Sequence, residues 1–319
     1  MPPHSNPGAA SLVLVTEEID AECRRWLTER CEVVDCSASD ARFAELLPKA
    51  DALVIRTYTT VDPALLARAP KLRVVGRAGV GIDNIDLPAC KSRDVRVVHT
   101  PDANTIAVVE LMTAFVFDAI RPRLFLDRAA GLKEWKSLRA ELVGDRQLAD
   151  LTVGILGFGR VGSRVARVMA PLAGRVIYND LLDIPADRRA GASPVSVEEL
   201  FRAADIVTIH VDGRPENRDF VNARLLALCK KGVLFLNTSR GFVVDVHAVA
   251  DLLKRDPDAK AILDVHEPEP FGADYPLLGL DNAFLSPHIG AATVGAHRNM
   301  SWVVRDVWRV LSGETPQYA

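Results

Sequence analysis

The chain has 319 residues, close to half of them hydrophobic, and its 39 lysines and arginines nearly balance its 42 aspartates and glutamates. This length accommodates two globular domains, and interspersed charges with a net of -3 give no general attraction to nucleic acid or anionic lipid. The five cysteines are scattered without the spacing of metal ligands, so we expect reduced thiols and no metal site.

The amino terminus is polar and contains prolines, without the basic and apolar regions of a secretory signal. No apolar run is long enough to span a bilayer. We therefore expect a cytoplasmic protein that binds neither membrane nor nucleic acid.

The first hundred residues alternate short apolar runs with segments of helical spacing. Strands are predicted where Val, Leu and Ile dominate, over residues 12–15, 52–55, 72–75 and 95–99. Helices are predicted over residues 41–47 and 63–69. Alternation of this kind is typical of a parallel sheet covered by helices.

Residues 105–119 are apolar nearly all round, which predicts a helix buried on most of its faces. The segment is too short to cross a membrane. It is either an ordinary core helix or a helix packed at a domain or subunit interface, and the residues alone leave both interpretations open.

Residues 151–180 form the most informative segment. An apolar run leads directly into GFGRVG, then into a helical pattern, then into a second apolar run that ends at Asp180. In such a unit Gly157 permits the tight turn, Gly159 lets the backbone approach a pyrophosphate, and Gly162 lets helix and strand pack closely. An acidic residue about 20 positions beyond the glycines is placed to bind a ribose. The segment therefore predicts dinucleotide binding.

Four more apolar runs follow, so that the predicted sheet has six parallel strands and a doubly wound topology. They cover residues 206–211, 233–237, 261–265 and 283–286. Arg240, the pair Glu267 and Glu269, and His288 come shortly after the last three runs. Because ligands bind beyond the carboxyl ends of such strands, we expect these side chains at one rim. Residues 296–311, with two tryptophans, predict a terminal helix that closes a core.

These side chains suit the reduction of a 2-oxo acid. Hydride arrival at a carbonyl carbon builds negative charge on oxygen, so the site needs a proton donor and a cation. His288 can donate and accept a proton near neutrality, and a neighbouring carboxylate favours its protonated form. Arg240 offers a fork that matches a carboxylate. Arg240, Glu269 and His288 each have an ordinary structural explanation when taken alone. Their expected location at the same sheet edge favours a catalytic role over a structural one.

The chain resembles the D-isomer-specific 2-hydroxyacid dehydrogenases, with the phosphoglycerate dehydrogenase branch most similar. The motifs are IRTYTTV, GRAGVGIDNID, ILGFGRVG, LNTSRG, DVHEPEP and SPHIGA. The resemblance implies an α/β protein in which a Rossmann domain, residues 103–289, is inserted into a smaller flavodoxin-like substrate domain, residues 1–102 and 290–319. It also implies an NAD-dependent enzyme, usually a homodimer formed largely through residues 105–119.

The resemblance further implies roles for individual residues. His288 is implied as the general acid and base and Arg240 as the residue that binds and polarises the substrate; the DVxxxEP pattern selects Glu269 over Glu267 as the partner of His288. Substrate contacts are implied for Arg56, Arg77, Val80, Gly81, Arg240 and His288. Cofactor contacts are implied for Gly157, Gly159, Arg160, Val161, Gly162, Asp180, His210, Thr238, Asp264, His288 and Gly290. Leu181 follows Asp180 where NADP enzymes often have arginine, so NAD is expected over NADP.

Two features depart from the family pattern. His210 and the residues up to Arg214 replace a common Pro-Leu-Thr run, which bears on the choice between NAD and NADP. The sequence also ends after the segment that corresponds to the catalytic core, so feedback control by serine through a regulatory domain is not expected.

The leading functional prediction is a 3-phosphoglycerate dehydrogenase-like activity, although the first domain offers few obvious cations for a phosphate beyond Arg56 and Arg77, and Arg139, outside that domain, is the one further candidate. The alternatives are reduction of glyoxylate, hydroxypyruvate or another 2-oxo acid. An NAD-sensing corepressor is the alternative from another class, because that branch keeps the same three polar residues. A formate dehydrogenase would be expected to have glutamine at position 269, and phosphite oxidation remains open.

Overall fold

The computed structural model describes residues 11–121 and 123–319. The chain divides into two compact units, one formed by Met1–Asn104 with Ala292–Ala319 and the other by Thr105–Ala291. We call the first the split unit and the second the central unit. Each division lies two residues after the expected domain boundary, at 104/105 and at 291/292.

From residue 11 onward, the split unit has a sheet of five parallel strands. They are β1 (Leu12–Val15), β2 (Glu32–Asp35), β3 (Ala52–Ile55), β4 (Val74–Arg77) and β5 (Arg96–His99). Their order in the sheet is β2-β1-β3-β4-β5, which is the order of flavodoxin-like folds. The helices between them are α1 (Ala21–Thr28), α2 (Phe43–Leu46), α3 (Pro63–Ala67) and α4 (Leu87–Ser92).

Strands β2 and β4 differ from the prediction by more than one residue, for physical reasons. The sequence analysis missed β2, an edge strand with only two apolar residues between Glu32 and Asp35. Strand β4 begins and ends two residues later than predicted, because Gly76 and Arg77 continue the ladder with β5. Gly76 is needed there, since a Cβ at this position would lie 2.3 Å from a methyl carbon of Val307.

In the described part of the central unit there are six α-helices and a sheet of seven parallel strands. The helices are α5 (Thr105–Ile120), α6 (Leu132–Glu141), α7 (Arg160–Met169), α8 (Val197–Ala203), α9 (Ala223–Leu226) and α10 (Val246–Arg255). The strands are β6 (Thr152–Leu156), β7 (Arg175–Asn179), β8 (Ser193–Pro194), β9 (Ile206–Ile209), β10 (Leu234–Asn237), β11 (Lys260–Leu263) and β12 (Ala283–Leu285).

The strand order in this sheet is β12-β11-β10-β9-β6-β7-β8. The order reverses between β6 and β9, which is the switch point of a doubly wound sheet. Phe235 and Leu236, neighbours in β10, belong to two different apolar clusters, so that both faces of the sheet are covered. The predicted doubly wound α/β class is confirmed, and the additional seventh strand is the two-residue β8 at the edge.

Helix α5 is less completely buried than its composition predicts. Met112, Val116 and Ile120 are buried along one face, whereas Ile106 is 57% exposed. The apolar character of the other faces is therefore not explained by burial within the central unit.

After the central unit the chain returns to the split unit as α11 (Val294–Ser301) and α12 (Val304–Leu311). The sequence pattern predicted one continuous helix. The break occurs at Trp302 and Val303. The Trp302 N–H still bonds to the carbonyl of Arg298, four residues earlier, whereas the Val303 N–H bonds to the carbonyl of Met300, three residues earlier. Helix α12 packs Val304 and Val307 into the apolar cluster of the split unit. Over the described residues, no helix combines the length and hydrophobicity that a membrane crossing needs.

Candidate active site

The turn between β6 and α7 and the first turn of α7 each contain one glycine that close packing requires. Gly157 has a φ of +88°, and a Cβ there would lie 2.7 Å from the backbone of His210. A Cβ at Gly162 would lie 2.0 Å from the carbonyl oxygen of Gly157. A Cβ at Gly159 would meet no atom within 4 Å. Gly159 therefore borders open space at the start of α7, beside Arg160 and Val161, where helix amides favour an anion.

Asp180 follows β7 and contacts this turn. Its Oδ2 accepts a hydrogen bond from the Phe158 backbone N–H at 2.5 Å, and its Oδ1 accepts one from the Leu182 N–H at 2.8 Å. The carboxylate is thus fixed beside the glycine turn by the backbone on both sides. A carboxylate in this place is able to accept hydrogen bonds from ribose hydroxyls.

The segment after β9 contains an uncharged histidine, His210, and an ion pair between Asp212 and Arg214. Burial lowers the pKa of His210 to about 3, so that its ring carries no charge at neutral pH. The ring Nε2 lies 2.9 Å from the Thr208 hydroxyl. Arg214 donates from Nε and Nη2 to the Asp212 carboxylate at 2.7 and 2.5 Å. Arg214, the residue that made NADP binding an alternative in the sequence analysis, therefore has an acidic partner within its own loop.

Asn237, the last residue of β10, shapes the turn that presents Thr238 and Arg240. Its Oδ1 accepts hydrogen bonds from the backbone N–H and hydroxyl of Ser239, and its Nδ2 donates to the Arg240 carbonyl at 2.9 Å. The Thr238 hydroxyl oxygen is buried without a hydrogen-bond partner among the described residues. Because a buried unpaired hydroxyl is costly, it is a candidate ligand contact.

Glu269 and His288 form a hydrogen-bonded pair. Glu269 Oε2 lies 2.7 Å from His288 Nδ1, and Glu269 Oε1 accepts a bond from the His266 backbone N–H at 2.7 Å. Burial opposes ionisation of Glu269, but the bonds from His288 and His266 outweigh it and hold the pKa of Glu269 below its ordinary value. The bound carboxylate occupies Nδ1 of His288, so Nε2 is the nitrogen available for proton transfer.

Asp264 fixes the segment that carries His288. It is almost fully buried at the end of β11, and its Oδ1 accepts bonds from the Ser286 hydroxyl at 2.6 Å and the Ile289 N–H at 2.8 Å. Its Oδ2 accepts the Gly290 N–H at 2.7 Å. His288 has a φ of +53°, a strained conformation for a non-glycine residue. Asp264 thus stabilises the turn that holds this conformation.

Sequence reasoning missed a second histidine in this region. His266 is buried, its Nδ1 lies 3.1 Å from the Tyr275 hydroxyl, and its Nε2 lies 2.9 Å from the Ser286 carbonyl. Phe271 packs edge-on against the same ring. His266 connects the segment of Glu269 to the segment of His288. A lone histidine in a proline-rich loop gives no sequence signal for this role, because its partners are brought close only by the fold.

The loops that carry Arg240 and Glu269 are neighbours. A Cβ at Gly241 would lie 2.0 Å from the carbonyl of His266, so the turn after β10 packs directly against the backbone before Glu269. Arg240, Glu269 and His288 are consequently presented at one edge of the central sheet. Within the described part of the chain, no three His, Cys, Asp or Glu side chains are arranged to hold a metal ion.

The remaining predicted residues lie in the split unit. Arg56 follows β3, where four consecutive backbone N–H groups, from Arg56 to Thr59, donate to the carboxylate of Glu17 at 2.8 to 3.1 Å. Arg77 ends β4, and its guanidinium covers the backbone of Gly79, where a Cβ would lie 1.2 Å from Nη1.

The second loop of the split unit carries Val80 and Gly81. The Val80 carbonyl lies 3.0 Å from Nδ1 of His99. Asn84 donates from Nδ2 to the carbonyls of Arg56 and Thr59, at 3.0 and 2.7 Å. This asparagine, which sequence reasoning did not single out, joins the loop after β3 to the loop after β4.

Residues 113–290 match the family model of the D-isomer specific 2-hydroxyacid dehydrogenase NAD binding domain. The chain is 34% identical over 298 residues to D-3-phosphoglycerate dehydrogenase of Archaeoglobus fulgidus, covering 92% of this chain and 56% of that protein. It is 35% identical over 301 residues to (S)-sulfolactate dehydrogenase of Chromohalobacter salexigens, covering 92% of this chain and 96% of that protein.

A solved structure resembles the whole chain. D-lactate dehydrogenase of Aquifex aeolicus, crystallised with NAD and lactic acid, has a TM-score of 0.81 at 25% identity, covering 95% of this chain and 96% of that one. The chain spans about half the length of the D-3-phosphoglycerate dehydrogenases that it matches.

Proposed function

The chain belongs to the D-isomer specific 2-hydroxyacid dehydrogenase family, and we propose that it interconverts a D-2-hydroxy acid and its 2-oxo acid by hydride transfer with NAD. The observation that carries the proposal is the Glu269–His288 pair, 2.7 Å apart, at the same sheet edge as Arg240. This set combines a proton donor with a cation at the carboxyl ends of parallel strands.

We propose that the central unit, residues 103–289 by the predicted boundaries, binds NAD. The residues fit the group: Gly159 borders open space at a helix start, and the buried hydroxyl oxygen of Thr238 has no partner within the described residues. Asp180 would accept bonds from the ribose, and Arg160, Val161 and Gly162 begin the helix that would face the pyrophosphate. When bound, NADH supplies the hydride.

The cofactor choice follows from the charges around Asp180. An NADP phosphate would place a dianion near this carboxylate, which is unfavourable without a compensating cation. Arg214 is a cation close enough to interact with Asp180, but its guanidinium is already paired with Asp212. NAD is therefore the proposed cofactor, and the neutral His210 at the end of β9 adds no charge that would favour a phosphate.

In the direction of 2-oxo acid reduction, we propose that His288 delivers the proton. Glu269 accepts from Nδ1 and thereby orients the ring, so that Nε2 donates to the carbonyl oxygen as negative charge develops there. Arg240 binds the substrate carboxylate and polarises the carbonyl. In this structure both carboxylate oxygens of Asp264 already accept hydrogen bonds, from Ser286, Ile289 and Gly290. The family resemblance implies that Asp264 also binds the amide of the nicotinamide, and this contact would add to its role in positioning the segment of His288.

We propose that the split unit, residues 1–102 and 290–319 by the predicted boundaries, contributes substrate contacts through Arg56, Arg77, Val80 and Gly81. The first substrate pair to test is 3-phosphoglycerate and its 2-oxo acid. The relationship to a sulfolactate dehydrogenase adds a sulfonate-bearing acid as the second candidate. Glyoxylate and hydroxypyruvate remain the alternatives, as does a corepressor that binds NAD without turnover.

We also propose a homodimer formed through α5 and the segment after it. An open groove of about 450 Å³ between α5 and α7 is lined by apolar and small side chains together with three charged ones: Val109, Thr113, Ala114, Phe117 and Val168, with Glu110, Asp118 and Arg123. Helix α6 has no buried residue, and its large apolar side chains Leu132 and Trp135 are 71% and 47% exposed. Apolar surface of this extent favours a protein partner, and a second copy is the partner that the family resemblance implies. The cytoplasmic location remains a prediction.

The test of the proposed function is a panel of 2-oxo acids. We expect purified protein to oxidise NADH with at least one of 3-phosphohydroxypyruvate, sulfopyruvate, hydroxypyruvate and glyoxylate. Tight NADH binding without turnover of any of them would favour the corepressor.

A further inference from the structure

His266 contacts the segments of all three proposed catalytic residues. Its backbone N–H donates to Oε1 of Glu269 at 2.7 Å. Its backbone carbonyl lies against the turn after β10, where a Cβ at Gly241 would approach it to 2.0 Å. Its ring Nε2 lies 2.9 Å from the carbonyl oxygen of Ser286, two residues before His288. A single residue that is only 5% exposed therefore connects three loops at the edge of the central sheet.

The carbonyl oxygen of Ser286 accepts two hydrogen bonds. One comes from the ring of His266, and the other comes from the backbone N–H of His288 at 3.0 Å. Because a carbonyl oxygen only accepts, the first bond requires a proton on Nε2 of His266. The ring of His266 and the backbone of His288 thus meet at one oxygen atom.

The ring of His266 is fixed from its other side by two aromatic residues. Nδ1 lies 3.1 Å from the Tyr275 hydroxyl. Burial, with a smaller effect of the Glu269 charge, raises the pKa of Tyr275 to about 12, so the hydroxyl keeps its proton and is able to donate to Nδ1. Phe271 and Tyr275 stack on each other and both meet the imidazole edge-on. These contacts together determine where the ring N–H of His266 points.

We propose that His266 is a positioning residue for proton transfer by His288, acting through the carbonyl of Ser286 on one side and through Glu269 on the other. This inference rests on the proposed function and adds a residue to its machinery. The ring N–H of His266 holds the turn on which His288 is presented, while its backbone N–H holds the carboxylate that orients the His288 ring. Both members of the Glu269–His288 pair are thereby aligned by one rigid residue.

The backbone strain at His288 makes its position sensitive to these contacts. A left-handed conformation of a non-glycine residue, here with a φ of +53°, persists only while its surroundings enforce it. On the carboxyl side of His288, Asp264 holds the N–H groups of Ile289 and Gly290. On the amino side, the His266 ring holds the Ser286 carbonyl. Loss of this bond should loosen the amino side and misplace Nε2 of His288, which slows the chemical step.

His266→Phe tests the inference, because it removes the ring N–H and keeps an aromatic ring beside Phe271 and Tyr275. We expect kcat for 2-oxo acid reduction to fall about three- to tenfold, the range expected from loss of one hydrogen bond. KM and the NADH dissociation constant should stay within about twofold of wild type, since the loss concerns the transition state and not binding. An unchanged kcat in a protein that reduces 2-oxo acids would overturn the inference and leave the proposed function intact.

A second variant separates positioning from stability. His266→Phe alone also leaves the buried Tyr275 hydroxyl without its bond to the ring, so the melting temperature should fall. Combining it with Tyr275→Phe removes both polar partners, which is less costly than leaving one unpaired. We expect the double variant to recover melting temperature while kcat stays low. Recovery of kcat together with melting temperature would show that His266 is merely structural.

Two further variants complete the comparison. His266→Gln keeps a side-chain N–H that is able to reach the Ser286 carbonyl, so its kcat should lie closer to wild type than that of His266→Phe. His247→Phe is the matched control, because His247 is an exposed histidine on α10 in the same unit. It should leave kcat, KM and melting temperature at their wild-type values.

A readout without turnover follows the position of His288 itself. In full-length protein with carbon-13-labelled histidine, the His288 ring signal is assigned by its loss in His288→Gln. We expect this signal to shift in His266→Phe and to remain in place in His247→Phe. An unshifted signal in His266→Phe would contradict the inference. A shifted signal in a protein that reduces no 2-oxo acid would support the positioning contact and refute only the proposed function.

Discussion

His288 combines a strained backbone with a defined side-chain bond. Its φ of +53° lies in a region that non-glycine residues seldom occupy, and such strain persists only where surrounding contacts enforce it. Here the contacts come from Asp264, which bonds the backbone on the carboxyl side, and from Glu269, which bonds Nδ1. Both acids therefore determine where Nε2 is presented.

Replacement of His288 by Ala should separate chemistry from cofactor binding. We expect kcat to fall by about 10²- to 10⁴-fold, the usual contribution of a positioned general acid. The affinity for NADH, measured by fluorescence titration, should change little. Parallel loss of NADH binding would show that the proposed division of roles is wrong.

Glu17 gives a prediction for stability. Burial opposes its ionisation, but bonds from four backbone N–H groups hold the pKa of Glu17 below its ordinary value of 4.5. A carboxyl with a lowered pKa stabilises the fold above the ordinary value, and this contribution is lost as pH falls through the lowered pKa. Glu17→Gln should therefore destabilise the protein by about 1–3 kcal/mol at pH 7, with a smaller difference at acidic pH.

Urea unfolding at pH 7 and at pH 4 measures this difference. The exposed neighbour Glu18 provides the control, since Glu18→Gln should change the free energy of unfolding by less than about 0.5 kcal/mol at either pH. An equal penalty for Glu17→Gln at both values would mean that charge does not contribute to the loop contact.

At the level of elements, two glycines at the junction of β6 and α7 have different roles: Gly162 permits close packing, and Gly159 borders open space. Gly162→Ala would place a methyl group 2.0 Å from the Gly157 carbonyl oxygen, which we expect to lower stability by about 1–3 kcal/mol. Gly159→Ala meets no atom within 4 Å, so the melting temperature should stay near that of the wild type. NADH binding should nevertheless weaken at least tenfold, because the methyl would occupy the proposed phosphate space.

Thermal melts and NADH titrations of the two variants provide the comparison. Wild-type NADH affinity in Gly159→Ala would remove the argument that the open space at this residue serves the cofactor.

The sequence predicted elements wherever one physical signal dominated. Apolar runs such as β6 and β9 are buried and therefore easily recognised, and the glycine turn has few alternatives to a strand-to-helix connection. The edge strand β2 has too few apolar residues to be recognised. In β4, Gly76 is a residue type that usually indicates a turn, but here close packing against Val307 requires a glycine inside the strand. The break between α11 and α12 contains neither Gly nor Pro, so the helical pattern gave no sign of it.

The sequence predicted the location of some residues of the candidate site and not of others, as it did for the helices and strands. Arg240, Glu269 and His288 follow strand ends and belong to ordered motifs, so their location could be inferred. His266 and Asn84 could not be predicted from the sequence, because each acts through partners that are distant in sequence. The bonds of Asp264 to residues 286–290 likewise depend on the fold, which brings the end of β11 beside the loop after β12.

At the level of the whole molecule, the proposed dimer predicts a mass of about 70 kDa in sedimentation equilibrium, twice the 34.8 kDa of one chain. Trp135→Glu, on the unburied helix α6, should shift the protein toward monomer because it places a charge in the apolar surface. Leu278→Glu, at a site of similar exposure, is the control and should remain dimeric. A wild-type monomer at micromolar concentration would refute the dimer.

The central claim, that this chain is an NAD-dependent D-2-hydroxyacid dehydrogenase, is tested most directly by NADH consumption with 2-oxo acids. We predict that the absorbance of NADH falls when protein is mixed with 3-phosphohydroxypyruvate or sulfopyruvate, that NADPH is used at least tenfold less efficiently, and that the product is the D-hydroxy acid. Protein that is folded and binds NADH but oxidises it with no 2-oxo acid of the panel would contradict the account.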